Sequence, residues 1–262
     1  MPVPHMGRNY VVRLLMPDVD APLNLPAIAG PQDKTRPLVV IDAGHGGRDP
    51  GASGSGYLEK RVVLQLARAL RGELMRRGGI RVAMTRDGDE YVRLSDRPEI
   101  ARRLGADLFI SIHADSSGEE SGVKGASIYT LSEDASSQAA ARFAERENRS
   151  NALNGVVVDR SDQQVNDILV ALSQRRVQEH SAELAGLIVR EGKGALEFHP
   201  QSRRSAALAV LRAPDVPAVL FESGFITNEF DAERLTSDVG REQFANTLAR
   251  AIAIYFARQS RS

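Results

Sequence analysis

Two histidines and two carboxylates stand where they could share one metal ion. His45 sits at the start of a glycine-crowded loop, GHGGRDPGASGSG, directly after the apolar run LVVIDA. His113 follows the run ADLFISI, and Glu222 follows AVLF. Glu59 opens the helix-like segment after the first loop. Two imidazoles and one carboxylate are a common ligand set for a catalytic zinc, with one position left for water. Zinc lowers the pKa of that water to roughly 7, and a further carboxylate can then accept and pass on protons. On residue type alone, Glu59 and Glu222 are both candidates for ligand and for proton carrier.

Other chemistries fit less well. Glycine-rich loops that lead into helices also bind phosphate through backbone N–H groups. However, GHGGRDPG matches neither the Walker pattern nor GxGxxG, and no lysine closes the loop. A serine nucleophile would call for a GxSxG elbow, which is absent. Taken singly, each histidine could be a hydrogen-bonded turn or strand-end residue, and Glu59 could merely complement a helix dipole.

The elements that must position these groups follow from periodicity. The runs at 38–42, 80–85, 106–112, 125–131, 205–211 and 218–221 read as strands, several of them continuously apolar as in sheets buried on both faces. Val63, Ala67, Leu70 and Leu74 give a helix over 58–77, closed by Gly78-Gly79. A second helix is expected over 91–104, with Pro98 marking a break or the start of its regular part. Phe244, Leu248, Ile252 and Tyr255 mark the terminal helix. Alternating strands and helices predict a single α/β domain: a mostly parallel, twisted sheet with helices on both faces. Ligands in such sheets gather at the C-terminal strand edge, where His45, His113 and Glu222 would converge.

Residues 132–194 differ, being long, helical and polar. Ala140, Phe143, Ala144 and Glu147 share one helix face, which puts a carboxylate on an apolar stripe. Ser161 with Gln164 makes a capping box, and Val165, Ile168, Leu169 and Leu172 form the stripe of the helix after it. A further helix is expected over 177–191.

The 262 residues balance 34 Lys and Arg against 34 Asp and Glu, so no bulk attraction to nucleic acid or to an anionic membrane is indicated. No apolar run is long enough for a membrane span. Without cysteine, thiolate zinc sites and disulfides are excluded. Seven prolines in the first 37 residues predict an extended linker or tail over 1–36, with the folded domain over 37–262. The basic-then-apolar pattern of a signal peptide is missing.

The strings VVIDAGHGGRDPGASG, LEKRVVLQLA, MTR, ADLFISIHAD, GASIYTLS and VLFESGFITN occur in matching order and spacing. Together they resemble the zinc-dependent N-acetylmuramoyl-L-alanine amidases that cleave peptidoglycan. The resemblance covers about residues 37–257. It implies one zinc held by His45, Glu59 and His113, with Glu222 catalytic. The implied reaction is hydrolysis of the amide between N-acetylmuramic acid and the L-alanine of the stem peptide. Arg86 and Ser111 are candidate substrate contacts, or else structural groups at strand ends. Residues 132–194 resemble the helical regulatory insertion of the Gram-negative cell-division amidases, in which a helix glutamate fills the remaining zinc position. Glu147 is the match, with Glu145 the runner-up. The resemblance further implies autoinhibition, a LytM-type activator that meets Val165, Ile168, Leu169 and Val170, and action in the periplasm during daughter-cell separation. A targeting segment would then be removed from, or precede, this sequence. The alternatives are a catalytically masked peptidoglycan-binding module and another zinc peptidase or deacylase.

Overall fold

Three strands rich in β-branched and aromatic residues form the centre of the sheet: β1 (Leu38–Ala43), β5 (Leu108–Asp115) and β8 (Ala218–Phe225). Every residue of β1 and β5 is buried, as continuous apolar runs require when both sheet faces are covered. The computed structural model describes residues 23–116, 122–149 and 167–260. Six strands assemble in the order β4-β1-β5-β8-β6-β7, with β4 at Arg81–Met84, β6 at Ala126–Leu131 and β7 at Phe198–Ala206. Strands β4, β1, β5 and β8 run parallel, whereas β6 pairs antiparallel with β8 and carries β7 parallel to itself. A two-residue hairpin, β2 (Ser53–Gly54) with β3 (Tyr57–Leu58), precedes the first helix.

Side chains alternate between the two faces. Val39, Ile41, Ile110, Ile112, Val219 and Phe221 meet three long helices: α1 (Glu59–Arg77), α4 (Asp167–Gly192) and α6 (Asp238–Gln259). Leu38, Val40, Phe109 and Leu220 meet shorter pieces, namely α2 (Asp96–Arg103), α3 (Gln138–Arg149) and a 3-10 turn at Ala209–Leu211. Leu70 in α1 is wholly buried, and truncating it to alanine would cost about 2–5 kcal/mol through lost transfer energy and a cavity. A last helix, α5 (Glu229–Thr236), is capped by the Asn228 side chain, which accepts from the N–H groups of Phe230 and Asp231.

Several expectations are corrected. His113 and Asp115 lie inside β5, not beyond it, because pairing with β8 continues to Asp115. The regular part of the second helix starts at Asp96, with Pro98 in its first turn where a missing N–H is harmless. The strand expected over 205–211 is β7, which ends at Ala206. The alternating Ala and Leu beyond it are buried by the 3-10 turn, not by a ladder. Strand β7 takes a sheet edge, where its proline and charges are tolerated. One helix, α4, runs through residues expected to form two. Residues 1–22 and the capping box at Ser161 and Gln164 lie outside the described residues. Residues 23–36 form neither helix nor ladder strand, and Ala29 exchanges both backbone hydrogen bonds with Val82 at the edge of β4.

Candidate metal centre

The loop after β1 is shaped around the His45 side chain. His45 itself adopts φ 59°, a left-handed conformation that costs a non-glycine residue about a kcal/mol or more. Two buried arginines hold it there. Arg97 donates to the carbonyls of Ala43 and His45 (2.9 and 2.8 Å), and Arg86 donates to those of Ala43 and Gly44 (2.8 and 2.7 Å). Arg97 is in turn paired at 2.7 Å with the fully buried Asp42, which also accepts from Thr85 and Ser111. Burial opposes the Asp42 carboxylate, yet Arg97 and the two hydroxyls hold its pKa below the usual value.

Within this frame the donor atoms converge. His45 Nε2 and His113 Nδ1 each lie 3.1 Å from Glu59 Oε1. The three groups are buried, and their donor atoms fall within 4.8 Å of one another. The loop glycines make room: a Cβ at Gly44 would come within 2.5 Å of the His113 ring, and one at Gly51 within 2.6 Å of Glu59 Oε2. Glu59 begins α1, where Ala52 N–H donates to Oε2 (2.8 Å) and Ala114 N–H to Oε1 (3.0 Å). Asp49 accepts from His45 Nδ1–H at 3.0 Å, since a carboxylate can only accept. In the neutral, metal-binding form of the ring this fixes the tautomer and leaves Nε2 with a free lone pair. Nε2 is buried, and despite its closeness to Glu59 it makes no hydrogen bond. A buried acceptor without a donor, aimed among an imidazole and a carboxylate, fits a cation with nitrogen and oxygen ligands.

Electrostatics agree with that fit. Burial works against the His45 imidazolium, but Glu59, Asp49 and Glu147 outweigh it and raise its pKa well above the usual value. The Glu59 carboxyl is likewise opposed by burial and held well below its usual range by His45 and His113. These groups are arranged around shared positive charge.

Glu222 stands beside His113 on the neighbouring strand, register partner to it. Its Oε1 accepts from Asp115 N–H at 2.5 Å, while Oε2 is buried without a partner. Burial first, then the carboxylates of Asp115, Glu59 and Glu147, push its pKa well up. Asp115 is raised to about 7 by burial, against the pull of Arg146. Tyr129, on β6, is pushed up to about 12 by burial and remains a neutral phenol.

Helix α3 closes over the cluster. Glu147 Oε2 lies 3.3 Å from His113 Nδ1 and 3.7 Å from His45 Nε2. Glu145, by contrast, is 63% exposed and pairs with Arg149, so it is Glu147 that reaches the cluster. Three further contacts seat the helix: Arg146 pairs with Asp115, Asn148 bonds Ala207 O and Ala209 N, and Phe143 stacks on Tyr129 at 4.5 Å. Arg86 and Ser111 are corrected as substrate contacts: both are buried and spend their donors on loop carbonyls and on Asp42. The activator stripe at Val165, Ile168, Leu169 and Val170 lies outside the described side chains. Asp49 and Arg97 were not singled out by sequence. Only the DPG turn and the arginine in the first turn of α2 could have pointed to them.

The mixed α/β sheet thus carries, at its C-terminal edge, a buried His, Glu, His cluster that could hold a metal ion, with an acid beside it. A family model described as N-acetylmuramoyl-L-alanine amidase matches residues 39–254. AmiA of Escherichia coli K12, an N-acetylmuramoyl-L-alanine amidase, is 38% identical over 221 residues, covering 84% of this chain and 76% of its own length. AmiC of Neisseria meningitidis is 35% identical over 222 residues, covering 84% of this chain and 53% of its own. Among solved structures, AmiC2 of Nostoc punctiforme superposes with a TM-score of 0.60 at 29% identity, over 84% of this chain and 97% of that one. The chain belongs to the N-acetylmuramoyl-L-alanine amidase family. It is an enzyme, a hydrolase that acts on peptidoglycan. No helix among the described residues is long and apolar enough to cross a membrane.

Proposed function

We propose that the protein is a zinc-dependent amidase held shut by its own helix α3. The observation that carries this reading is the Glu147 carboxylate lying within 3.3 and 3.7 Å of the two cluster histidines. His45, Glu59 and His113 would hold the ion. Zinc bound there supplies Lewis acidity, which polarises the scissile carbonyl and lowers the pKa of water. Glu222 takes and returns the protons at Oε2, since Oε1 is engaged by Asp115 N–H. Its raised pKa suits a group that must finish as an acid toward the leaving L-alanine amine. The bond broken joins the lactyl carbonyl of N-acetylmuramic acid to that amine.

Glu147 competes with substrate for the ion, so the resting enzyme turns over slowly until α3 moves. Residues 132–194 act as a regulatory insertion in a catalytic domain over 37–262, with 1–36 as a tail. A LytM-type activator engaging residues 165–170 would draw α3 away. Such control suits a periplasmic enzyme of daughter-cell separation, where wall cleavage must be confined in time. Metal analysis and digestion of purified peptidoglycan by the parent and by Glu147→Ala test the reading. One zinc per chain and a basal rate at least about tenfold higher in the variant are expected. A parent that is already fully active sinks the autoinhibition.

A further inference from the structure

We propose that Arg204 forms a carboxylate-binding subsite for the stem peptide, beside the acid Glu222. The proposal rests on the amidase reading above and adds what the site recognises on the peptide side. A cleft of about 660 Å³ runs from Glu222 and Asp115 outward between β6, β7 and α3, with Arg204, His199, Tyr129 and Arg142 on its walls. The register fixes the spacing. Tyr129 on β6 is paired with Leu220 of β8 on one side and with Arg204 of β7 on the other. Arg204 is thus two strands away from the strand that carries Glu222, roughly 10 Å across the sheet. About three extended residues cover that distance, the scale of a short peptide leaving the scissile amide.

The guanidinium is positioned but not neutralised. Its Nε donates to Gln201 O (3.1 Å), Nη1 to the Tyr129 hydroxyl (3.2 Å) and Nη2 to the His199 ring (2.8 Å). These partners are a carbonyl, a hydroxyl and an imidazole. Among the described residues no carboxylate pairs with Arg204, whose N–H groups meet only the Gln201 carbonyl, the Tyr129 hydroxyl and the His199 ring. Arg142, on α3, likewise has no ion pair among the described residues. Neither carboxylate at the inner end of the cleft pairs with Arg204: Asp115 pairs with Arg146, and Glu222 accepts from Asp115 N–H at Oε1 alone. A half-buried, preoriented guanidinium with no carboxylate partner among the described residues suits binding of a carboxylate. Of the two parts of the substrate, the neutral amino-sugar side offers no such group close by, whereas a peptide ends in one. Arg204 stays on the sheet when α3 moves, while Arg142 leaves with the helix.

The test is a binding measurement that does not depend on turnover. A synthetic alanyl tripeptide is titrated calorimetrically, in its free-acid and carboxamide forms, into the parent protein, Arg204→Gln and Arg204→Lys. The parent is expected to bind the acid at least about tenfold more tightly than the amide. Arg204→Gln should lose that preference, and Arg204→Lys should keep most of it. Circular dichroism checks that both variants are folded. Equal binding of the two forms by the parent, absence of binding by either, or an undiminished preference in Arg204→Gln overturns the proposal. Hydrolysis of a muramoyl peptide ending in a carboxamide reads the amidase function separately, because the subsite is not needed for that substrate's chemical step.

Discussion

Arg146 and Asp115 form the ion pair that ties α3 to the strand carrying His113. Asp115 is buried, so removing its partner leaves a charge with little solvent, whereas Arg146 itself is half-exposed and can be truncated without opening the core. Arg146→Ala should therefore favour the displaced position of α3. Basal hydrolysis of purified peptidoglycan is expected to rise about tenfold, the scale set by roughly 1.4 kcal/mol of lost seating energy. A rate equal to the parent's would show that the pair does not contribute to closure.

Glu222→Gln separates metal binding from chemistry. The amide keeps the shape and can still accept from Asp115 N–H, but it cannot carry a proton. Zinc content should stay at the parental level while turnover falls by at least about a hundredfold, the range for loss of a general acid–base group. Normal digestion of cell-wall sacculi by this variant would remove Glu222 from the mechanism.

Asp49 would act on a bound ion through His45. With its carboxylate on Nδ1–H, the imidazole presents Nε2 to the cluster. Asp49→Asn weakens that bias and should reduce zinc affinity by about 10- to 100-fold, as measured by competition with a chelator. Unchanged affinity would mean that the loop alone orients the ring.

Arg97 serves the same loop from beneath. Arg97→Met strips Asp42 of its charge partner and releases the carbonyls of Ala43 and His45. The expected cost is about 3–5 kcal/mol of unfolding free energy, readable by urea denaturation. Converting Asp42 to Asn in the same chain should recover part of it, because the uncompensated buried charge is then gone.

In zinc-free protein, acidity should stabilise. The His45 pKa is raised above its ordinary 6.5, so the stability that group contributes is fully present below that pH and is lost as pH rises through the folded value. Asp115, raised to about 7, adds a cost that grows as pH climbs from its unfolded value of 3.8 towards 7. Both effects have one sign. Calorimetry of chelator-treated protein should show Tm falling by at least about 3 °C between roughly pH 5 and pH 8. Zinc, which binds the deprotonated ligands, should flatten or reverse that slope. A rising Tm in the zinc-free protein would contradict the assigned directions.

The parts of the fold that could be read in the sequence are those whose pattern is local. Strands β1, β5 and β8 are uninterrupted apolar runs, and α1 and α6 keep one stripe for several turns, so their existence follows from periodicity. The convergence of His45, His113 and Glu222 follows from the strand ends they occupy, and Glu59 joins them by opening the helix after the first loop. Glu147 could be placed on an apolar helix face before its contacts were known. Asp49, Arg97 and Arg204 carry no such mark. Their partners are a ring four residues away in an irregular loop, carbonyls about fifty residues away, and groups on β7 itself and on the neighbouring strand, none of which a helix or strand period marks. Strand β7 was misplaced for a related reason: burial by the 3-10 turn imitates strand alternation.

The two unlike faces of the sheet separate endurance from control. Long helices α1, α4 and α6 cover one face, while among the described residues the cluster face is covered by two short helices and a turn. On the proposed autoinhibition, moving α3 would expose the chemistry without disturbing the larger core, a local opening distinct from global unfolding. Substitutions beneath α1 or α6 should shorten the life of the enzyme, and those beneath α3 should alter when it acts. The two properties can thus be selected, or engineered, one without the other.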